Sequence, residues 1–366
     1  MPEEAVLRFE RFPAESSRLD PAAGFGESRY PVEVRRDPIT GETVHLAHTG
    51  AVRPQPLEPE HYAAPEVRGF CPFCEPHRET VTPMFPPRFI PEGRLRRGEA
   101  LLVPNLYPYD VHSTVVVMTR QHVVPPGAFS LPLLVDALEL GVEGWRRLLA
   151  ADPGEWRPVM GWNFMPPSGG GLVHPHQQYL LTRFPGRRYE AEFAAARRFH
   201  RAHGRDPWTV LVEQERAQGE RHLGTTGRWE WLAAFAPRGI LGEITAVLPG
   251  AAGLDALDGE ALLSLADGLL RIFAWMGDHG LCSFNATLFV PPHSEPVFPI
   301  HLNLVPRTFL NLRDMAPDMN FLQVLMEEPV SVVRPEDLAA GLREYLSVED
   351  GPGAGTSGPL QRILDP

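Results

Sequence analysis

The stretch Ser168-Gly169-Gly170-Gly171-Leu172-Val173-His174-Pro175-His176-Gln177-Gln178 decides how the rest of this chain is read. Its three glycines put side-chain-free backbone at a turn, where amide groups can approach an anion closely. Two imidazoles follow one residue apart, and an amide side chain lies two residues beyond the second. Imidazole serves as nucleophile, general base or metal ligand near neutral pH. In extended backbone residues i and i+2 share a face, so His174, His176 and Gln178 can point towards one pocket. Together these features suggest a nucleotide phosphate held beside a reactive histidine. His-Pro-His by itself also reads as a histidine-rich surface turn. Asn163 upstream, the glycine run and Gln178 downstream tip the balance towards a site.

Outward from that segment the pattern predicts an α+β fold. A strand over 158–164 runs into the glycine turn, a helix over 130–150 with Ser130 as N-cap precedes it, and a strand over 113–118 precedes the helix. Further upstream, 31–49 reads as a hairpin turning at Asp37-Pro38-Ile39-Thr40-Gly41, residues 101–104 as a strand, and 1–30 as irregular and polar. The order then recurs. Strands over 229–237 and 243–248, a helix over 258–280 capped by Asp258, and strands over 282–290 and 299–305 lead to His301. Strand, helix, strand, histidine thus occurs twice, which predicts a duplicated unit of antiparallel sheets with packed helices. The copies span 31–185 and 190–347, joined through a polar helical stretch over about 189–218. The Gly/Pro-rich end, 348–366, reads as a disordered tail.

Composition bounds the function. The chain has 366 residues, 43% hydrophobic and 22% charged, which is ordinary for a globular protein. It holds no apolar run of the roughly 20 residues that span a bilayer, so no membrane partner is expected. The acidic start without an apolar signal core makes a cytoplasmic location the expectation. A net charge of −12 argues against nucleic acid as a partner. The chain contains no lysine, so all 34 basic side chains are arginine. Schiff-base and lysine-nucleophile mechanisms are therefore excluded.

Three cysteines cannot build a disulfide framework, but two form the knuckle Cys71-Pro72-Phe73-Cys74 in a proline-rich stretch. In a reducing compartment such a pair reads as metal, redox or packing. A tetrahedral zinc site needs two further ligands, and histidines at the ends of adjacent strands, His122 and His174, are natural donors. Such a site could supply on the order of 10 kcal/mol towards ordering the segment. If His174 binds metal, His176 becomes the free imidazole, and Gln178 on the same face can donate to a phosphoryl oxygen.

These residues resemble the galactose-1-phosphate uridylyltransferase family of the histidine-triad superfamily, over about residues 31–345. Arg35-Arg36-Asp37-Pro38-Ile39-Thr40-Gly41, Arg53-Pro54, the cysteine knuckle, Val103-Pro104-Asn105-Leu106-Tyr107-Pro108, His112 to His122, and Asn163 to Gln178 carry the resemblance. It implies a duplicated histidine-triad-like unit with a degenerate second copy, one structural zinc held by Cys71, Cys74, His122 and His174, and a homodimer. It also implies that His176 attacks the α-phosphorus of a UDP-sugar, expels sugar 1-phosphate, and passes the nucleotidyl group to a second sugar 1-phosphate. Gln178 and the amides of Gly169, Gly170 and Gly171 would stabilise the phosphoryl oxygens. Arg53, Phe73, Asn105 and Asn163 would contact nucleoside and phosphates, and Gln323 the sugar.

The departures matter as much. Gly50 stands where the family has arginine, and Phe321-Leu322-Gln323 where a Tyr-Glu pair is expected. Some members bind a second metal through C-terminal histidines and a glutamate. Glu192 and His301 match that pattern, but Asn303 and the Asn285 region offer no imidazole, so no second metal is expected. Two other readings stay open: an ADP-sugar or dinucleotide phosphorylase of the same superfamily, and a zinc-containing nucleotide-binding regulator with reduced activity.

Overall fold

The computed structural model describes residues 5–47, 55, 57–64, 69–292, 297–311 and 315–347. Arg53, Gly50 and the expected tail at 348–366 lie outside the described residues. The chain opens with β1 (Glu10–Asp20) and β2 (Gly26–Arg36), paired over their full length, and β3 (Thr43–Ala47) adds beside β2. The β2–β3 turn is the expected one, with the Asp37 carboxylate accepting from the Ile39 and Thr40 amides at 3.0 and 2.7 Å. Within the polar stretch 1–30, expected to be irregular, residues 10–20 and 26–30 instead form β1 and the start of β2, paired as a long hairpin. Most of β1 is exposed on both faces, so it lacks the apolar alternation by which a half-buried strand is recognised.

The body is a ten-stranded sheet. Its first five strands are β4 (Leu95–Arg97), β5 (Ala100–Pro104), β6 (His112–Val117), β7 (Arg157–Phe164) and β8 (His176–Thr182). The other five are β9 (His222–Thr226), β10 (Trp229–Ala233), β11 (Ile244–Leu248), β12 (Ser283–Phe289) and β13 (Ile300–Arg307). The spatial order is β4-β5-β6-β8-β7-β12-β13-β11-β10-β9, which reads alike from both ends, and the two runs meet where β7 pairs antiparallel with β12. The strand expected over 229–237 stops at Ala233. Two short strands, β14 (Phe309–Asn311) and β15 (Ala316–Pro317), pair with each other, and β16 (Val330–Ser331) runs parallel to β3.

One face of the sheet is covered by α1 (Leu131–Ala151), with α4 (Gly259–Asp278) and α6 (Pro335–Leu346) to be counted beside it. α1 starts where its chemistry dictates: the Ser130 side chain accepts from the Leu133 amide, with proline in the first turn. Asp258 caps α4 in the same way, accepting from Ala261. Leu134, Leu138, Gly141, Trp145 and Leu148 make the buried stripe of α1. A Cβ on Gly141 would lie 2.0 Å from the Tyr179 ring, and one on Gly268 of α4 2.1 Å from the Trp231 ring. Glycine at these two places lets each helix lie directly on an aromatic of its own half.

The opposite face is covered differently in the two halves. α2 (Arg187–His203) and α3 (Pro207–Gln218) fill the segment expected to be helical and pack Tyr189, Ala196, Trp208 and Val212 over the second half. Over the first half the cysteine knuckle and Phe73 lie on Leu101, Val103, Val115 and Val117. The small sheet is fastened to the body by α6. Glu336 in its first turn accepts from Arg35 through two bonds of 2.9 Å and from Arg221 at 2.9 Å, both guanidinium groups being fully buried. α5 (Phe321–Leu325) is a short surface helix.

Candidate active site

β8 begins at His176, and its register sets every side chain that follows. His176 stands opposite Val117 and Gln178 opposite Val115, so both share the face that bears the knuckle. Gln177 and Tyr179 point to the helix side, where the Tyr179 hydroxyl donates to Gln177 Oε1 at 2.9 Å. The alternation expected from extended backbone therefore holds.

Four ligand atoms converge beside the start of β8. Cys71 Sγ, Cys74 Sγ and one ring nitrogen each of His122 and His174 all lie within 4.8 Å of one another. The separations are 3.7 Å for Cys71 Sγ to His174 Nδ1, 3.4 Å for Cys74 Sγ to His174 Nδ1, and 3.3 Å for Cys74 Sγ to His122 Nδ1. With zinc–sulfur bonds of about 2.3 Å and zinc–nitrogen bonds of about 2.0 Å, a tetrahedral sulfur–nitrogen edge measures about 3.5 Å. The set therefore fits a four-coordinate ion. His174 Nε2 lies 2.9 Å from the Thr119 carbonyl, which can only accept, so the proton sits there and Nδ1 turns its lone pair to the cysteines. Burial pushes the Cys71 thiol up to about 11 and the His174 imidazole down to about 4.

The same reasoning fixes His176. Its Nδ1 donates to the His174 carbonyl at 2.8 Å, so the lone pair of the neutral ring is on Nε2. Desolvation lowers its pKa, with the bond to the carbonyl opposing, so the neutral, nucleophilic form is favoured. The Phe73 ring packs against both imidazoles, at 5.9 Å from His174 and 5.2 Å from His176. His174 and His176 are thus joined by one backbone hydrogen bond and one aromatic ring.

The glycine turn begins at a costly place. Met165 is buried yet sits at φ 66°, ψ 163°, a region that non-glycine residues enter at a cost on the order of 1–3 kcal/mol. The Ser168 hydroxyl donates to the Met165 carbonyl at 2.7 Å. The Gly169 amide donates to Pro166 at 2.9 Å and is committed inside the turn. From the neighbouring strand Asn285 donates through Nδ2 to Asn163 Oδ1 at 2.7 Å and to the Ser168 carbonyl at 2.9 Å. Arg307 in turn donates to Asn285 Oδ1 and grips the buried Asp318 carboxylate through Nε at 2.8 and 2.9 Å.

The expected site residues are distributed as follows. Phe73, Asn163, the glycine turn, His174, His176 and Gln178 lie together around the start of β8. Asn105, just past β5, lies four residues on from Leu101, which is level with His176 but two strands away, so it sits about 13 Å further along the sheet in addition to that lateral separation. Its side chain contacts Ser113 Oγ at 3.4 Å. Gln323 is held in the capping box of α5, with its Oε1 accepting from the Asn320 amide, and its Nε2 reaches the Asp318 carbonyl at 3.5 Å. It lines a cavity of about 480 Å³ that it shares with Arg187, Arg188, Arg238 and Arg307. Asn285, Arg307 and Asp318 were not singled out from sequence. The repeat held a signal for Asn285, because Asn163 in β7 and Asn285 in β12 occupy corresponding strands and pair directly.

In the second half, His301 stands opposite Val247 on β11 as His176 stands opposite Val117 on β6. Its chemistry is different. His301 Nε2 bonds Glu192 at 3.0 Å and its ring stacks on Trp208 at 4.4 Å. Arg188 bridges Glu192 and Glu243 at 2.8 and 2.7 Å. Burial would raise the Glu192 carboxyl, but the Arg188 charge and the His301 bond bring it down to about 2. Asn303 accepts from the Thr245 hydroxyl at 3.1 Å.

Among the described residues, no helix is long and apolar enough to cross a membrane. No family model matches the chain. A protein of Archaeoglobus fulgidus without an assigned function is 31% identical over 318 residues, covering 86% of this chain and 93% of that protein. Among solved structures, an ADP-glucose phosphorylase from Arabidopsis thaliana with bound ADP-glucose superposes with a TM-score of 0.65 at 16% identity, over 86% of this chain and 99% of that one. A galT-like protein from the same plant gives 0.64 at 15% identity over 85% and 98% of the two chains. A uridylyltransferase gives 0.59 at 21% identity over 86% and 98%. The chain therefore belongs to one family with the Archaeoglobus fulgidus protein, and it shares its fold with the ADP-glucose phosphorylase, the galT-like protein and the uridylyltransferase.

Proposed function

We propose that this chain is a nucleotidyltransferase that moves UMP between a UDP-hexose and a hexose 1-phosphate through a covalent uridylyl-His176. The observation that carries this reading is the His176 Nδ1 bond to the His174 carbonyl, which leaves the Nε2 lone pair on a side chain that shares its face with Gln178. In the first half-reaction Nε2 attacks the α-phosphorus, an N–P bond forms, and the P–O bond to the β-phosphate breaks, releasing hexose 1-phosphate. In the second, a phosphate oxygen of the acceptor attacks the same phosphorus and the N–P bond breaks, giving the new UDP-hexose. Gln178 and the Gly170 and Gly171 amides face the non-bridging oxygens as charge shifts onto them. Phe73 and Asn105 bind the nucleoside, Asn163 and Arg53 the phosphates, and Gln323 the sugar.

Cys71, Cys74, His122 and His174 would hold one zinc ion, which would serve as a structural clamp on the knuckle. His174 passes that order to His176 through its carbonyl. In the second copy, Glu192 and His301 are satisfied by Arg188 and Trp208, which supports one reacting histidine per chain. We read 31–185 and 190–347 as the two copies, the protein as a homodimer, and its location as cytoplasmic.

The fold likeness to an ADP-glucose phosphorylase supports a second reading, in which the nucleotide is adenylyl and inorganic phosphate is the acceptor. Incubation with UDP-glucose or ADP-glucose labelled at the α-phosphate distinguishes the two. The proposal expects an acid-labile, base-stable adduct from UDP-glucose that His176→Ala abolishes and galactose 1-phosphate discharges. An adduct from ADP-glucose alone, discharged by inorganic phosphate, favours the phosphorylase. No adduct from either donor overturns the enzymatic reading.

A further inference from the structure

We infer that Asn285, backed by Arg307 and Asp318, is a positioning residue that holds the glycine turn and Asn163 in their working geometry. The inference rests on the reading that this turn receives the nucleotide phosphate. Three observations carry it. First, Met165 opens the turn in a backbone conformation that L side chains rarely adopt, and such a conformation persists only where its surroundings over-determine it. Second, Asn285 spends both hydrogens of its amide on the two ends of that turn, the Asn163 side chain and the Ser168 carbonyl. Third, the amide is itself fixed. Arg307 donates to its oxygen, which leaves only the nitrogen to face the turn, and Arg307 is gripped by Asp318, buried to 2% exposure.

The direction of each bond matters. A guanidinium has donors only, so it must meet an acceptor on Asn285, and this settles which way the amide points. Asp318 also accepts from the Thr308 amide at 3.2 Å, which ties the far end of the relay to the backbone that leaves β13. The second copy thus contributes to the first copy's chemistry. Asn285, its counterpart of Asn163, reaches across the seam to the phosphate turn.

Two substitutions separate positioning from mere packing. Asn285→Asp keeps the shape and strengthens the bond to Arg307 but removes both donors to the turn. Asn285→Ala removes everything. If Asn285 acts through its donors, both variants lose about 10- to 100-fold in the rate of adduct formation at saturating donor, with KM changed less than threefold and circular dichroism unaltered. Hydrogen exchange at the amides of residues 168–171 should accelerate about tenfold or more in both, in protein without nucleotide. In an Asn163→Ala background the further loss from Asn285→Ala should shrink. Wild-type rates and wild-type exchange in Asn285→Asp would overturn the inference. Accelerated exchange in both variants of a protein that forms no adduct even as wild type would support the positioning role and sink the nucleotidyl-transfer reading instead.

Discussion

Glu336→Gln is a sharp perturbation because Glu336 joins three elements of the fold. It sits in the first turn of α6 and accepts two bonds from Arg35 of β2, one from Arg221 before β9, and one from Arg11 of β1 at 3.1 Å. Burial would raise its pKa, but the hydrogen bonds and charge of Arg35, with Arg221, bring it down to about 2. A carboxyl that falls from 4.5 to about 2 on folding contributes about 3 kcal/mol at neutral pH. Removing one partner of a buried ion pair costs roughly 3–5 kcal/mol. Arg35 keeps Glu33, and Arg221 keeps Glu215 and Glu220, so the lower end of that range applies. At an unfolding entropy of about 2 cal/mol/K per residue, a loss of about 3 kcal/mol lowers the melting temperature of a chain this long by about 4 °C.

The pH dependence follows from the sign of the shift. The folded pKa is depressed, so the stabilisation is complete above the ordinary carboxyl pKa and is lost as pH falls through about 2. The difference between wild type and variant should therefore narrow from about 3 kcal/mol at pH 7 to about 2 kcal/mol near pH 3.5. Calorimetric melts of both proteins across that range give the measurement. A variant that melts within 1 °C of wild type at pH 7, on the order of the error of such melts, would refute the argument. So would a difference that stays constant on acidification.

Purified protein should carry about one zinc ion per chain by elemental analysis, lowered in Cys71→Ser and in His174→Asn. Full occupancy in both would show that the four converging atoms are not the ligands. Gly141→Ala should cost about 1–3 kcal/mol in urea unfolding, because the new Cβ meets the Tyr179 ring at 2.0 Å. Tyr179 belongs to the strand that carries His176 and Gln178, so adduct formation should slow as well; unchanged stability and rate would show that the helix can move away without consequence.

The legible parts of this chain are those whose signal is local. Ser130 and Asp258 announce α1 and α4, and both caps are made. Asp37-Pro38-Ile39-Thr40-Gly41 encodes its own turn. Cys71, Cys74, His122 and His174 could be assembled on paper because strand ends bring chemistry together in a predictable way. β1 was illegible because it is held by β2 and not by burial; Arg18 over the Tyr30 ring at 3.6 Å is typical. α6 carried a start signal in Pro335, Glu336 and Asp337 that was not read. Asn285, Arg307 and Asp318 escaped because their meaning lies in register. Only the pairing of β12 with β7 makes an asparagine at 285 a neighbour of one at 163.

That pairing also governs how the molecule can come apart. β7 and β12 are the innermost strands of the sheet, and six residue pairs join them. A fragment ending between the copies would expose β7, with Val159, Met160 and Trp162, and a row of unpaired amides and carbonyls. Neither half has a clean border at which to stop, so the two are expected to melt in one cooperative step, and severed halves to cling to each other or to aggregate. The copy that bears His301 is in this sense indispensable: it supplies the missing strand edge of the copy that bears His176.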